Sequence, residues 1–268
     1  MSARTLEPGG FAVAPESHAL SATQTVSIFA REAVHEFLMV LRMPAFALPT
    51  LAFPAVFYAV FALMLPGQWA GHSKAIYLLA TYGTFGIIGP ALFGFGVGVA
   101  IEREKGWLDL KRASPMPIGA YFFGKMAMSM LFALCVLLIL SALSLAAGKV
   151  IAFDAWLRLV AVLVVGTLPF CAMGLFIGTL ARGSGAAAIV NLVYLPMALL
   201  SGLWIPLFVF PGIVAKLAAL WPAYHLAQIA LGMAGEIEGV RYALHGLTLI
   251  LFTVLFATLA ANRLRSDR

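Results

Sequence analysis

Long uncharged runs alternate with short polar breaks along this chain, and the runs have the length of membrane-crossing helices. A helix needs about 20 apolar residues to cross the hydrocarbon core. Because the runs are continuous and do not alternate residue by residue, they argue against a barrel, whose strands face lipid and lumen in turn. Residues 26–43, "VSIFAREAVHEFLMVLRM", put Arg31, Glu32, His35, Glu36 and Arg42 on one helical face and Ile28, Phe29, Val34, Phe37, Leu38 and Leu41 largely on another. This pattern predicts an amphipathic helix lying in the interface. Six crossings follow, at 44–65, about 75–101, 119–147, about 156–181, about 186–204 and about 242–262. Pro44, Pro49 and Pro54 bend the first without excluding it from a bilayer. The second is glycine-rich and lets other helices approach its backbone closely. Between the fifth and sixth, residues 205–241 are apolar but broken by Pro206, Pro211 and Pro222, which predicts short re-entrant helices over about 205–235. The predicted fold class is an all-α polytopic membrane protein. Its transmembrane domain spans 44–262, between a flexible tail over 1–25 preceding the interfacial helix and a short tail over 263–268.

Composition agrees with the pattern and adds an orientation. With 63% hydrophobic and 10% charged residues over 268 positions, and a mean hydropathy of +1.01, the chain has too little polar surface to cover a soluble globule. Its net charge of +6 would suggest nucleic acid in a soluble protein. In a membrane protein it reflects basic residues kept on the cytoplasmic side. Six crossings divide the 17 Lys and Arg residues 12 against 5, and the basic side carries both termini. The expectation is a multi-pass protein of the cell inner (cytoplasmic) membrane, with both termini cytoplasmic, the lipid bilayer as a partner and no nucleic acid. Cys135 and Cys171 sit within apolar runs and read as packing residues.

Chemistry-bearing residues are few. "GAYFFGKM", Gly119–Met126, resembles a phosphate loop until Met126 replaces the hydroxyl that would hold Mg²⁺, and it opens a membrane helix where a strand should precede it. Lys125 is expected to snorkel to the interface. "GFGVG" in the second crossing lacks the βαβ setting of a dinucleotide loop. Proton relays need intramembrane acids or bases, which are nearly absent, so ion-coupled transport is disfavoured. A lipid-modifying enzyme would need converging catalytic groups, and none is apparent. His225 and His245 read as isolated, without metal-ligand spacing, while Asp154 and Arg158 form a helix-start pair. No catalytic, cofactor-binding or metal site is expected on this chain. "GLFIG", Gly174–Gly178, has small-residue spacing suited to close helix packing, within the chain or between chains. Phe85, Phe93, Phe95, Phe122, Phe123 and Phe132 suit lipid or helix contacts, or an apolar pathway.

The most informative stretch is "IEREKGWLDLKRASPMPIGAYFFGKM", residues 101–126. Charges of alternating sign follow directly on a membrane helix, Gly106 breaks it, and "WLDLKR" offers an amphipathic turn with Trp107, Leu108 and Leu110 as an apolar ridge. Pro115 and Pro117 stop that turn. In this order the features resemble the permeases of the ABC-2 type exporter family, at Glu102, Arg103, Glu104, Gly106, Leu108, Leu110, Pro115, Gly124 and Lys125. Trp107 departs from the small hydroxyl residue expected there.

The resemblance implies that loop 102–118 forms a cytoplasmic coupling helix docking in a separate ATP-binding subunit, present in two copies. The coupling interface would comprise Glu102, Arg103, Glu104, Gly106, Trp107, Leu108, Leu110, Arg112 and Pro115. Helix 26–43 would add a second contact through Arg31, Glu32, His35 and Glu36. It also implies that ATP and Mg²⁺ are held by the partner subunit, and that a second permease chain, identical or not, completes the pathway. The implied function is export through this permease. The alternatives are the lipid-modifying enzyme or a membrane scaffold that docks without transporting.

Overall fold

The computed structural model describes residues 21–266, apart from positions 66, 70, 71, 115 and 184. Helix α1 runs Ala22–Leu41 and begins before residue 26 because Ser21 and Gln24 cap it reciprocally. The Ser21 hydroxyl accepts from the Gln24 N–H at 3.2 Å, and the Gln24 side chain accepts from the Ser21 N–H at 2.9 Å. Residues 21–25, expected in the tail, therefore belong to the cap and first turn, and the rest of that tail lies outside the described residues.

The later elements are α2 (Pro44–Met64), α3 (Lys74–Glu104), α4 (Trp107–Ala113), α5 (Ile118–Ala146), α6 (Phe153–Leu180), α7 (Gly185–Leu200), α8 (Gly212–Ala218), α9 (Pro222–Met233) and α10 (Tyr242–Ser266). Among the described residues, five helices are long and apolar enough to cross a membrane: α2, α3, α5, α6 and α10. The expected fifth crossing corresponds to α7, which is apolar but only 16 residues long. The proline-broken segment before the last crossing forms a 3-10 turn, Leu207–Val209, followed by α8 and α9. The last helix absorbs most of the expected C-terminal tail. It continues to Ser266, and Arg263 and Arg265 in its final turn suit the negative end of the helix dipole.

Helix α3 is the hub. Its most apolar stretch is 72% buried, against 17% for the peripheral α10. From Leu78 to Ile88 every residue of α3 is buried, and the helix packs on α2, α5, α6 and α9. Its second half, Pro90–Val97, is wound in wider turns. Proline lacks the N–H needed for regular winding, and such turns mark a local break in the α ladder. This stretch meets the second half of α6 at backbone distance. A methyl group placed on Gly96 would lie 2.5 Å from the Gly174 carbonyl oxygen, and one on Gly174 would lie 2.6 Å from that of Ala91. The Gly174–Gly178 spacing thus serves packing inside one chain, against α3.

Candidate functional site

The charged island is built by a turn that glycine makes possible. Helix α3 ends at Glu104, and Gly106 adopts the left-handed region at φ 72°, so the chain changes direction within two residues and enters α4. One face of α4 then points inward and the other outward. Leu108 is buried, whereas Trp107 and Leu110 are 47% and 69% exposed. The ridge expected from all three residues is therefore a pair, with Leu108 serving as the anchor beneath it. Lys105 Nζ lies 4.9 Å from the Trp107 ring centre. Arg112 is exposed and contacts Asp109 at 3.4 Å, while the Ser114 hydroxyl closes the helix end by donating to the Lys111 carbonyl at 2.8 Å. Pro115 lies outside the described residues.

Beneath α4 is a buried knot of charge. Lys125 on α5 is 1% exposed and reaches Glu102 on α3 at 2.8 Å and Glu36 on α1 at 3.0 Å. Tyr121, one helical turn before it, donates its hydroxyl to the second Glu102 oxygen at 2.7 Å. Lys111 on α4 pairs with Glu32 and lies 3.6 Å from Glu36. Both lysines also lie near the face of Tyr121, at 4.8 Å for Lys111 and 5.0 Å for Lys125. Three carboxylates, two ammonium groups and a phenol thus join four helices that contribute from distant parts of the chain.

Lys125 does not snorkel. Two carboxylates at hydrogen-bonding distance supply in the interior the compensation that water would otherwise give. Gly124 makes room for this arrangement, since a methyl group there would lie 2.9 Å from Glu32 Cγ and 3.2 Å from the Glu32 carbonyl oxygen. The adjacent glycine and lysine therefore act together, one admitting α1 and the other pairing with the Glu36 it brings.

Helix α1 is consequently not a simple amphipath with its apolar side inward. Glu36 is buried and Glu32 partly so, while Val34, Leu38 and Leu41 are exposed on the outside, where lipid suits them. Arg31 and His35 are exposed and stand apart from the knot. The remaining island residues turn toward the end of α6. Arg103 donates to the Gly178 carbonyl at 2.9 Å, and the Glu104 carboxylate occupies the space beside Gly183, whose φ of 54° leaves no room for a side chain.

A second polar contact lies elsewhere. His225 on α9 and His245 on α10, expected to be isolated, approach within 2.8 Å through their Nδ1 atoms. Both are buried, and Tyr224 stacks its edge near each ring. Burial holds the His225 imidazole below its ordinary value of 6.5, partly offset by its hydrogen bond to the Ala219 carbonyl. No group of three or more His, Cys, Asp or Glu residues suited to a metal occurs among the described residues. The helix-start pair is present as expected, with Arg158 and Asp154 at 2.9 Å, both exposed.

Two comparisons with known proteins span the island. A family model described as ABC-2 type transporter matches residues 24–234, which includes α1, the knot, the island and α9. Over 210 residues the chain is 27% identical to "Putative transport permease YvfS" of Bacillus subtilis (strain 168), covering 76% of this chain and 84% of that protein.

Proposed function

Since this chain belongs to the ABC-2 type transporter family and is a transport permease of the membrane, we propose that it is the pathway-forming subunit of an ATP-driven exporter. The observation that carries the reading is α4. It presents Trp107 and Leu110 outward on a helix whose inner side is tied through Leu108 and Lys111 to α1, α3 and α5. A separate ABC-type ATP-binding subunit docks on that pair, with Arg112, Arg31 and His35 as flanking contacts. Glu102, Glu32 and Glu36 face the interior and act as struts.

Force applied to α4 passes into three long helices through charge-assisted contacts, which are stronger and more directional than neutral ones. Pushing or turning α4 as a unit is the kind of rigid-element displacement by which such switches operate. ATP and Mg²⁺ reside on the partner, and a second permease chain completes the pathway. Helix α7, fifth in chain order, brings the crossings to six. At 16 residues it extends about 24 Å, short of a hydrocarbon core of about 30 Å, and residues 201–205 complete the passage. Six crossings return both termini to the cytoplasmic side of the inner membrane.

The reading is tested by co-expressing the permease with its cognate ATP-binding subunit and replacing both Trp107 and Leu110 by alanine. Recovery of the ATPase on the purified permease is expected to fall at least about tenfold, as for loss of central apolar anchors, with the melting temperature unchanged. Undiminished recovery and undiminished transport-stimulated ATP hydrolysis in proteoliposomes would overturn it.

A further inference from the structure

His225 and His245 form a contact whose proton inventory the geometry fixes. His225 Nε2 lies 2.9 Å from the Ala219 carbonyl oxygen, which can only accept, so that nitrogen carries a hydrogen. In the neutral ring His225 Nδ1 is then bare. It faces His245 Nδ1 at 2.8 Å, a hydrogen-bonding separation, so His245 Nδ1 carries the shared hydrogen and donates it. That leaves His245 Nε2 as the unprotonated nitrogen outside the contact. A first added proton binds there and keeps the donor in place. A second has only His225 Nδ1 left, and it turns the acceptor into a donor, so that two N–H groups and two cationic rings face each other.

Among the described residues, no acidic group acts on these rings. Helix α9 packs against α3, α6 and α10. On α3, Lys74 donates to the Leu65 carbonyl, Tyr82 reaches the Trp204 carbonyl, and Tyr77 interacts electrostatically with Glu236 of the following loop. On α6, Asp154 and Arg158 pair with each other at the surface. On α10, the Tyr242 hydroxyl packs beside Gly232, and Arg263 and Arg265 stand at the other end of the helix. Lys216, Glu238 and Arg241 belong to the segments flanking α9. Among the described residues, the groups acting on the two imidazoles are the Ala219 carbonyl, the ring of Tyr224 and each other.

We propose that His225 and His245 are a proton-operated latch, which holds α9 and the turn before it against the last crossing when the pair carries no added proton or one, and releases them when it carries two. The latch lies at the end of the bundle away from the charged island: Tyr77 and Thr81, near the start of α3, border a cavity shared with Ala227 and Leu231 of α9, whereas the far end of α3 carries Glu102. Release would therefore loosen the segment 219–226 without disturbing the knot.

The test uses the full chain in lipid nanodiscs with ¹⁵N-labelled histidine, titrated from about pH 7.5 to about pH 4.5 across the histidine range, with amide hydrogen exchange measured in parallel and corrected for its intrinsic pH dependence. The expected result is hydrogen on Nε2 of His225 and Nδ1 of His245 at the high end, two separate protonation steps, and about tenfold faster exchange in residues 219–226 accompanying the second step, as for loss of one hydrogen bond. His225→Gln preserves the donor to Ala219 but removes the acceptor, and should exchange fast throughout. His245→Asn places an amide donor near the position of Nδ1, and should remain protected at high pH and open in a single step. The opposite tautomers, independent titration of the two rings, or exchange indifferent to the second proton would overturn the latch. Should His225→Gln fail to fold, the wild-type chain and His245→Asn decide the matter between them.

Discussion

Two of the buried polar contacts among the described residues, the knot at Lys125 and the histidine pair, are built on opposite principles. The knot at Lys125 gathers full charges, pairing three carboxylates with two ammonium groups and a tyrosine hydroxyl across α1, α3, α4 and α5. The histidine pair gathers no charge; it depends on one ring being a donor and the other an acceptor. Removing one member of the knot strands a buried charge, whereas the pair keeps its donor and acceptor through one added proton and loses them with a second. The knot suits an element that must not yield while force passes through it. The pair suits one that yields under defined conditions.

The two contacts should part most widely in Lys125→Met, which leaves Glu102 buried without its cation and Glu36 with only Lys111 at 3.6 Å. Loss of about 3–5 kcal/mol is expected, read as collapse of the folded fraction in detergent melts. Adding Glu36→Gln and Glu102→Gln to that variant should restore much of the stability but not transport, because the fault is stranded charge and the strut itself stays missing. A smaller loss, about 1–3 kcal/mol, is expected for Gly174→Ala, since a methyl group there meets α3 backbone that has no rotamer to adjust. It should lower the melting temperature at every pH, which distinguishes packing from titration.

For the pair, the sign follows from His225. Burial depresses its folded value below 6.5, so the unfolded chain binds more protons in the window just beneath 6.5, and stability falls as pH is lowered through that window. The melting temperature should drop by about 2–4 °C relative to neutral pH, and His225→Gln should reduce that dependence. At the bottom of the scale, Asp154→Asn disturbs an exposed i,i+4 pair and should change stability by no more than about 0.5 kcal/mol at low salt, and less at high salt.

Much of the frame was legible because it follows from composition taken over tens of residues. The apolar runs located α2, α3, α5, α6 and α10 to within a few positions, and Gly106 marked the turn into α4. Local rules also sufficed for the Asp154–Arg158 pair. They missed the start of α1, where the Ser21–Gln24 capping box was readable in "SATQ" but lay ahead of the amphipathic run.

The polar contacts were a different matter. "GKM" within an apolar helix was visible, but nothing near Lys125 in the chain shows that Glu36, 89 residues earlier, would turn inward to meet it. The inward turn of Glu36 on α1 was hidden for the same reason. Taking the polar side of a helix as its outer side assumes that the surroundings are water, and in a bilayer the exposed side meets lipid.

Sequence alone thus dictated that the chain inserts in a membrane as helices, where most of them begin and end, and which island interrupts them. These follow from transfer free energies and backbone hydrogen bonding, which act on each segment separately. It took the packed fold to establish that Gly174–Gly178 packs within the chain, that Lys125 is buried between two carboxylates, and that two lone histidines meet at hydrogen-bonding distance. Each depends on side chains from remote segments meeting within about 3 Å, and a hydrogen bond or ion pair at that range is set by the packing of whole helices, which no local pattern encodes.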